Sequence, residues 1–300
     1  MMLSSFDRKL IMALQEDGRA SNVDLSQKLG IHVSTIAKRI DELEEHEIMK
    51  IQALPNPYKL GYSAHAIIAI ETDIRRIDEI CARLNNIFNV NLIITAFGRY
   101  DIIAVAYFPA MENLLNMVSR ELSTINGLKV DTFLIKDVKK RYYGFTIDNT
   151  EPIKIDEIDQ KIIEKLTENG RCKILNLARE LGISPSTCLR RTSRLISEKV
   201  IEIRAIPNPS RIGYASNALL FLRVQTDKLE NVCNTLRTFD NIFLVATLYN
   251  AYDAVIGYHA SSPEELYRFK KTIISTDGVL SGDIIVRAEI KKRYYGKLLT

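Results

Sequence analysis

The stretch that decides the fold runs from Asp159 to Ile201: DQKIIEKLTENGRCKILNLARELGISPSTCLRRTSRLISEKVI. Over Ile158 to Glu168 its apolar residues recur at helical spacing, with Ile162, Ile163 and Leu166 on one stripe. Gly170 is expected to stop that helix by adopting positive φ. A second short helix, Ile174 to Leu181, ends at Leu181-Gly182-Ile183, a tight turn with a glycine between two apolar anchors. Ser184-Pro185-Ser186-Thr187 then opens a third helix with an N-cap and a proline at the first helical position. It is expected to reach about Glu198, with Leu189, Leu195 and Ile196 pointing inward and Arg190, Arg191 and Arg194 on other faces. Helix, glycine turn, helix, with small hydroxyl residues and then basic ones, is a helix-turn-helix pattern.

The same pattern occurs earlier in the chain. A shift of 152 residues carries Asp7-Arg8-Lys9-Leu10-Ile11 onto Asp159-Gln160-Lys161-Ile162-Ile163, and Leu29-Gly30-Ile31 onto Leu181-Gly182-Ile183. It also carries Pro55-Asn56-Pro57 onto Pro207-Asn208-Pro209, Gly61-Tyr62 onto Gly213-Tyr214, and Tyr100-Asp101 onto Tyr252-Asp253. Lys139-Lys140-Arg141-Tyr142-Tyr143-Gly144 falls on an identical hexapeptide, Lys291 to Gly296. Copies of this length are too long for solenoid units and long enough for domains with their own cores. The chain reads as a dimer written on one polypeptide, with Gly18 stopping the first helix of the first copy.

Beyond the three helices, each repeat has a short extended stretch, Met49 to Leu54 and Ile201 to Ile206, closed by Pro-Asn-Pro and readable as a wing or connector. Strand-like runs follow at Ala64–Ile70, Val90–Phe97, Ile102–Phe108 and Leu128–Ile135, with helical runs at Arg75–Leu84 and Met111–Leu122. That order, βαββαβ, is the ferredoxin-like arrangement, and Asn217 to Glu289 repeats it. The expected fold class is therefore α+β. It comprises a winged helix-turn-helix over residues 1–54, a βαββαβ domain over 55–144, a linker over 145–155, and the same pair again over 156–206 and 207–300.

Composition limits the alternatives. Of 300 residues, 46% are apolar and 26% charged, as in ordinary globular proteins. No apolar run approaches the roughly 18–20 residues that span a bilayer, so no membrane partner is expected. Met1 to Asp7 lacks a basic region followed by an apolar stretch, which argues for a cytoplasmic protein. Cys81, Cys172, Cys188 and Cys233 show no C-x-x-C spacing and read as free thiols. His32, His46, His65 and His259 show no metal spacing, and no phosphate loop, nucleophile elbow or zinc signature appears, so neither metal nor cofactor is expected.

In their order and duplication, these segments resemble the leucine-responsive regulator/AsnC family of transcription factors. The resemblance rests on DRKLIMALQEDGRASNVDLSQKLGI, STIAKRIDELEEHEI, Leu60-Gly61-Tyr62 and GRYDIIAVAYF, with their second copies, and covers nearly the whole chain twice. It implies binding to double-stranded DNA, a small-molecule effector such as an amino acid, and self-association through the βαββαβ sensing domains. The family's Gly-x-Tyr-Asp turn, implicated in effector response, appears as Gly98-Arg99-Tyr100-Asp101. The second repeat reads Asn250-Ala251-Tyr252-Asp253, without the glycine. The effector candidates are thus Gly98, Tyr100, Asp101, Tyr252 and Asp253. A carboxylate suits an ammonium group, and turn stabilisation is an equal alternative for both aspartates.

The DNA candidates are Ser34, Thr35, Lys38 and Arg39 in the first head, and Ser184, Ser186, Thr187, Arg190, Arg191 and Arg194 in the second. Hydroxyls at a helix start can donate to phosphates, and arginine can grip guanine through two hydrogen bonds. From Ser4 to Gln52 there are seven basic residues against nine acidic, and from Asp156 to Ala205 ten against eight. Affinity follows phosphates neutralised, so the second head is expected to bind more tightly. Both heads lack the family's glycine at the helix exit, where Glu47 and Lys199 stand; a left-handed conformation there costs roughly 1 kcal/mol.

Two other functions compete. The sirohaem decarboxylases resemble the same duplicated architecture, and His259 lies near where they place a histidine, with Phe108 read as its counterpart in the first repeat. Their tryptophan is missing, because this chain has none. A sensor acting through a protein partner is the third reading. The repeated Lys-Lys-Arg-Tyr-Tyr-Gly is read as edge lysines discouraging strand pairing, with tyrosines packing on a neighbouring subunit. Whether the repeats pair within one chain or between chains stays open on sequence.

Overall fold

The computed structural model describes residues 3–142, 144–147 and 151–293. In chain order the first repeat contributes α1 (Ser5–Glu16), α2 (Asn22–Leu29), α3 (Val33–Glu45), β1 (Met49–Pro55), β2 (Ala64–Glu71), α4 (Ile77–Asn85), β3 (Val90–Gly98), β4 (Ile102–Phe108), α5 (Met111–Met117) and β5 (Lys129–Arg141). The second contributes α6 (Glu157–Glu168), α7 (Ile174–Leu181), α8 (Pro185–Ser197), β6 (Ile201–Pro207), β7 (Ser216–Val224), α9 (Leu229–Leu236), β8 (Ile242–Leu248), β9 (Ala254–Ala260), α10 (Pro263–Ile274) and β10 (Val279–Arg293). The βαββαβ order expected from the sequence is present in both copies. The chain folds as two compact units, each built from both repeats: residues up to Asn56 with Ile153–Gly213, and Pro57–Pro152 with Tyr214 onward.

In the first unit the two extended stretches pair with each other. β1 and β6 form an antiparallel ribbon, from Met49 opposite Pro207 to Pro55 opposite Ile201. The ribbon ties the two heads together. Gly30 and Gly182 close α2 and α7 at φ 69° and 65°, as their turns require.

Gly18 and Gly170 do something else: neither has positive φ, and α1 and α6 are already closed by Asp17 and Asn169 in extended conformation. Each glycine instead lies against the other repeat's ribbon strand. Gly18 N donates to Ile203 O at 2.8 Å and Gly170 N to Ile51 O at 2.9 Å. A Cβ on Gly18 would sit 2.7 Å from Ile203 O, and one on Gly170 would sit 2.7 Å from Ile203 Cγ2. Next to them, Arg19 Nη1 donates to Gly170 O at 3.0 Å, while Arg171 Nη1 donates to Gly18 O and Ala20 O, both at 3.0 Å. The heads thus exchange arginines, and burial lowers the pKa of both guanidiniums.

One inward assignment on α8 also changes. Leu195 is buried as expected, but Leu189 and Ile196 are 54% and 38% exposed. Cys188 and Thr192 take their places, since 188, 192 and 195 form the i, i+4, i+7 stripe that faces the bundle. At the helix exits Glu47 and Lys199 do adopt left-handed backbone, at φ 54° and 56°.

In the second unit the strands close into a barrel of order β10-β3-β4-β2-β5-β8-β9-β7. Each repeat supplies four neighbouring strands, and β3–β10 and β5–β8 are the seams. The repeats therefore pair within the chain, and closure leaves no strand edge in the barrel. Alternate residues of each strand face opposite ways. Ile68, Ile70, Ile102 and Ala104 pack with α4 and α5, whereas Ile67, Ala69, Tyr100 and Phe133 meet Phe221, Tyr252 and Val255 of the other repeat inside the barrel.

The duplicated hexapeptide belongs to these seams. Lys139, Lys140 and Arg141 lie within β5, and Lys140 and Arg141 pair with Val245 and Leu244 of β8, so they are not edge lysines. Lys140 Nζ donates to Arg237 O and Phe239 O at 2.9 and 2.7 Å, covering the end of α9. Lys292 does the same for α4, donating to Asn85 O and Ile87 O at 3.0 and 3.2 Å. A cation there complements the helix C-terminus. Lys139 pairs with Glu230 at 3.0 Å, and Lys291 with Asp78 at 3.2 Å. Tyr142 donates to Asp240 O at 2.6 Å within the same chain. Tyr143, Tyr294, Tyr295 and Gly296 lie outside the described residues.

Candidate nucleic-acid interface and sensing-loop network

The third helix of each head carries the DNA candidates. Ser184 caps α8: its hydroxyl accepts from Thr187 N at 3.2 Å and donates to Thr187 Oγ1 at 2.8 Å. In the first head His32 takes the capping place, with Nδ1 accepting from Ser34 N at 3.4 Å. Ser34, Thr35, Ser184 and Ser186 are exposed in the first turns, and Thr187 is half-buried.

The arginines divide into two groups. Arg39 Nε and Nη2 reach Asp7 at 2.6 and 2.9 Å, and its Nη1 reaches Glu42 at 2.6 Å. Asp7 is buried and also accepts from Ser4 N and Oγ, both at 2.8 Å, so it closes α1's capping box while holding α3. The bond from Arg39, aided by those from Ser4, holds the Asp7 carboxyl down at about 2 against the opposing effect of burial. The second head repeats this with different partners. Arg191 Nη1 meets Asp156 at 2.7 Å and Asp159 at 3.0 Å, and Arg194 Nη2 meets Asp159 at 2.5 Å. Arg39, Arg191 and Arg194, named from sequence as DNA contacts, thus bind the first helix of their own head.

Lys38 and Arg190, equivalent under the repeat shift, project from the exposed face. Lys38 is 80% exposed, with Glu42 at 3.7 Å. Along the same face the first head continues with exposed Asp41 and Glu45, whereas the second has exposed Ser193 and Ser197. The first face is acidic beyond its lysine; the second carries a cation among hydroxyls.

In the barrel unit the Gly-x-Tyr-Asp turn is fully engaged. Asp101 accepts from Thr72 N and Asp253 from Val224 N, each at 2.8 Å, so both aspartates tie their turn to a neighbouring strand end. Tyr100 and Tyr252 are buried in the barrel core, their hydroxyls donating to Asp131 (2.5 Å) and Asp283. Burial, reinforced by those aspartates, pushes both phenols above their ordinary pKa. Arg99 joins the two halves: Nη1 donates to Tyr252 OH at 2.7 Å, and Asp283 and Asp131 lie at 3.3 and 3.8 Å. Its repeat equivalent is Ala251, so one guanidinium serves both carboxylates.

Gly98 has φ 132°, and a Cβ there would meet Ile284 O at 2.5 Å. Asn250, at the same place in the second repeat, instead uses its Nδ2 to donate to Thr132 O at 2.9 Å. The sequence reading missed Arg99, Asp131 and Asp283. The signal was available in the 152-residue spacing of the two aspartates.

Strand register makes Tyr107, and not Phe108, the counterpart of His259: β2 sets His65 opposite Tyr107, and β7 sets Asn217 opposite His259. His65 stacks on Tyr107 at 4.1 Å, its Nδ1 3.2 Å from Tyr58 OH. Its Nε2 meets no hydrogen-bond partner among the described residues. Desolvation, with Arg141 as a smaller cause, holds it well below the usual histidine range. His259 stacks with Phe243 and Tyr214 at 4.4 and 5.0 Å and bonds Asn217 through Nδ1. Burial, then Arg287 and Arg293, lowers it to about 4. Among the described residues no three of His, Cys, Asp and Glu gather as a metal site, and no helix is long and apolar enough to cross a membrane.

The family model for the AsnC-type helix-turn-helix domain matches twice, over residues 3–44 and 155–196. The HTH-type transcriptional regulator PF1231 of Pyrococcus furiosus is 31% identical over 145 residues, which is 48% of this chain and 98% of that protein. The regulator FL11 of Pyrococcus abyssi is 30% identical over 128 residues, 42% of this chain and 85% of its own. The chain belongs to the leucine-responsive regulator/AsnC family of helix-turn-helix transcriptional regulators, in a duplicated form. Across its full length the fold is similar to the crystal structure of the sirohaem decarboxylase NirDL with an iron-uroporphyrin III analogue: TM-score 0.71, 18% identity, 97% of this chain and 93% of that one.

Proposed function

We propose that this chain regulates transcription by setting two unequal heads on two half-sites of double-stranded DNA. The second head supplies the stronger grip, while the barrel unit binds a small effector such as an amino acid and mediates self-association. The observation that carries this reading is the difference between the exposed faces of α3 and α8: Lys38 followed by Asp41 and Glu45, against Arg190 followed by Ser193 and Ser197. Each uncompensated carboxylate near the phosphates opposes binding that depends on counterion release. The ribbon and the exchanged arginines support joint action of the heads, since both are built from one chain.

The test is a titration against fluorescent DNA from upstream of the protein's own gene at several salt concentrations, with random DNA as competitor. Binding that outlasts the competitor and falls steeply with salt is expected; equal binding to random DNA would sink the reading. A second reading, a tetrapyrrole decarboxylase, draws on the full-length likeness to NirDL. Against it, His259 is stacked between two aromatic rings and bonded to Asn217. Absorbance changes on adding sirohaem would favour that reading.

A further inference from the structure

The exposed face of α8 contains one residue that the regulator reading leaves unused. Leu189 is 54% exposed, although it adjoins Arg190 in sequence and shares a face with exposed Ser186 and Ser193. Its counterpart in the first head is Ala37. The leucine contributes little to the core of its head, whose α8 stripe is Cys188, Thr192 and Leu195. It lies in the second turn of the helix, the part that meets base edges when a helix-turn-helix enters the major groove. Exposed Ile196 lies two turns further on, towards the helix exit.

The only apolar group that a base pair displays in that groove is the C5 methyl of thymine, and a bare cation beside it is suited to the acceptors of guanine. Arg190 is the exposed cation of this face, whereas the neighbouring Arg191 and Arg194 are turned to Asp156 and Asp159.

We infer that Leu189 and Arg190 are the base-reading pair of the second head, Leu189 against a thymine methyl and Arg190 against a guanine. The inference rests on the DNA-binding reading above and adds what that reading does not specify: which bases the second half-site must contain. The first head, with Ala37 and Lys38, has a shorter apolar group and a point charge. Its half-site is therefore read differently, and the preferred operator is not a palindrome.

The decisive experiment starts by selecting preferred duplexes from a random pool with the full chain. Each thymine of the selected site is then replaced in turn by deoxyuridine, which lacks only the methyl group. At one thymine the substitution should weaken binding about fourfold, the factor for withdrawing one methyl-sized contact. The Leu189→Ala chain, unchanged in its circular dichroism, should bind both duplexes equally. Arg190→Ala should lose its preference at an adjacent guanine while keeping the sensitivity to deoxyuridine. The inference is overturned if no thymine responds, or if the response survives in Leu189→Ala. Failure to select any sequence would overturn the DNA reading itself, and this pair with it.

Discussion

At the scale of the residue, charge on the third helices has been turned inward. Arg39 and Arg191 each bind the aspartate that closes the first helix, so removing the acid breaks a cap and a helix–helix tie together. Asp7→Asn should cost roughly 1.5–3 kcal/mol in urea unfolding, the range for hydrogen bonds to charged groups. Because Asp7 is held near 2 when folded and lies near 3.8 when unfolded, its contribution is complete above the unfolded value and lost as pH falls through the folded one. The wild-type stability slope between pH 4 and 2 should therefore flatten in Asp7→Asn. The buried imidazoles act in another window. His259, at about 4 when folded against 6.5 when free, leaves the unfolded chain binding more protons between those values. Stability should fall as pH drops from about 6.5 to 4, and His259→Tyr, which borrows the residue of the first repeat, should reduce that fall.

At the scale of the element, identical residues answer to different constraints. Gly30 needs only its left-handed backbone, with nothing within 4 Å of an added Cβ, so Gly30→Asn should cost well under about 1 kcal/mol. Gly18 faces the carbonyl of Ile203 and has no room, so Gly18→Asn should cost roughly 1–3 kcal/mol or more. Thermal unfolding of the two variants separates these cases. The contrast also shows where sequence reasoning reaches. Leu29-Gly30-Ile31 was legible because its cause is local to the turn, as was the βαββαβ order, whose strands and helices have distinct periods. The reason for Gly18 was hidden because its neighbour is more than 180 residues away and belongs to the other copy. Leu189 and Ile196 were placed inside because leucine and isoleucine outrank cysteine and threonine in apolarity, while the spacing of Cys188, Thr192 and Leu195 pointed elsewhere. Among the DNA candidates, Arg190 and Arg191 are indistinguishable in sequence, since the partner of Arg191 is set by the packing of α8 on α6.

At the scale of the whole molecule, a single polypeptide supplies both heads and both halves of the barrel. Arg190→Ala should weaken DNA binding more than Lys38→Ala and should relax the sequence preference with little change in salt slope, as loss of a base contact does. The seams of the barrel carry the last consequence. Arg99 bridges Asp131 and Asp283, and Ala251 stands in its place in the other copy. A gene encoding one repeat writes every change twice, so a bulky residue introduced near the symmetry axis of its dimer must be accommodated beside its own image. Here the arginine stands in one copy alone. In a tandem chain the two copies can differ at such a position, so one guanidinium serves both carboxylates without meeting its own image.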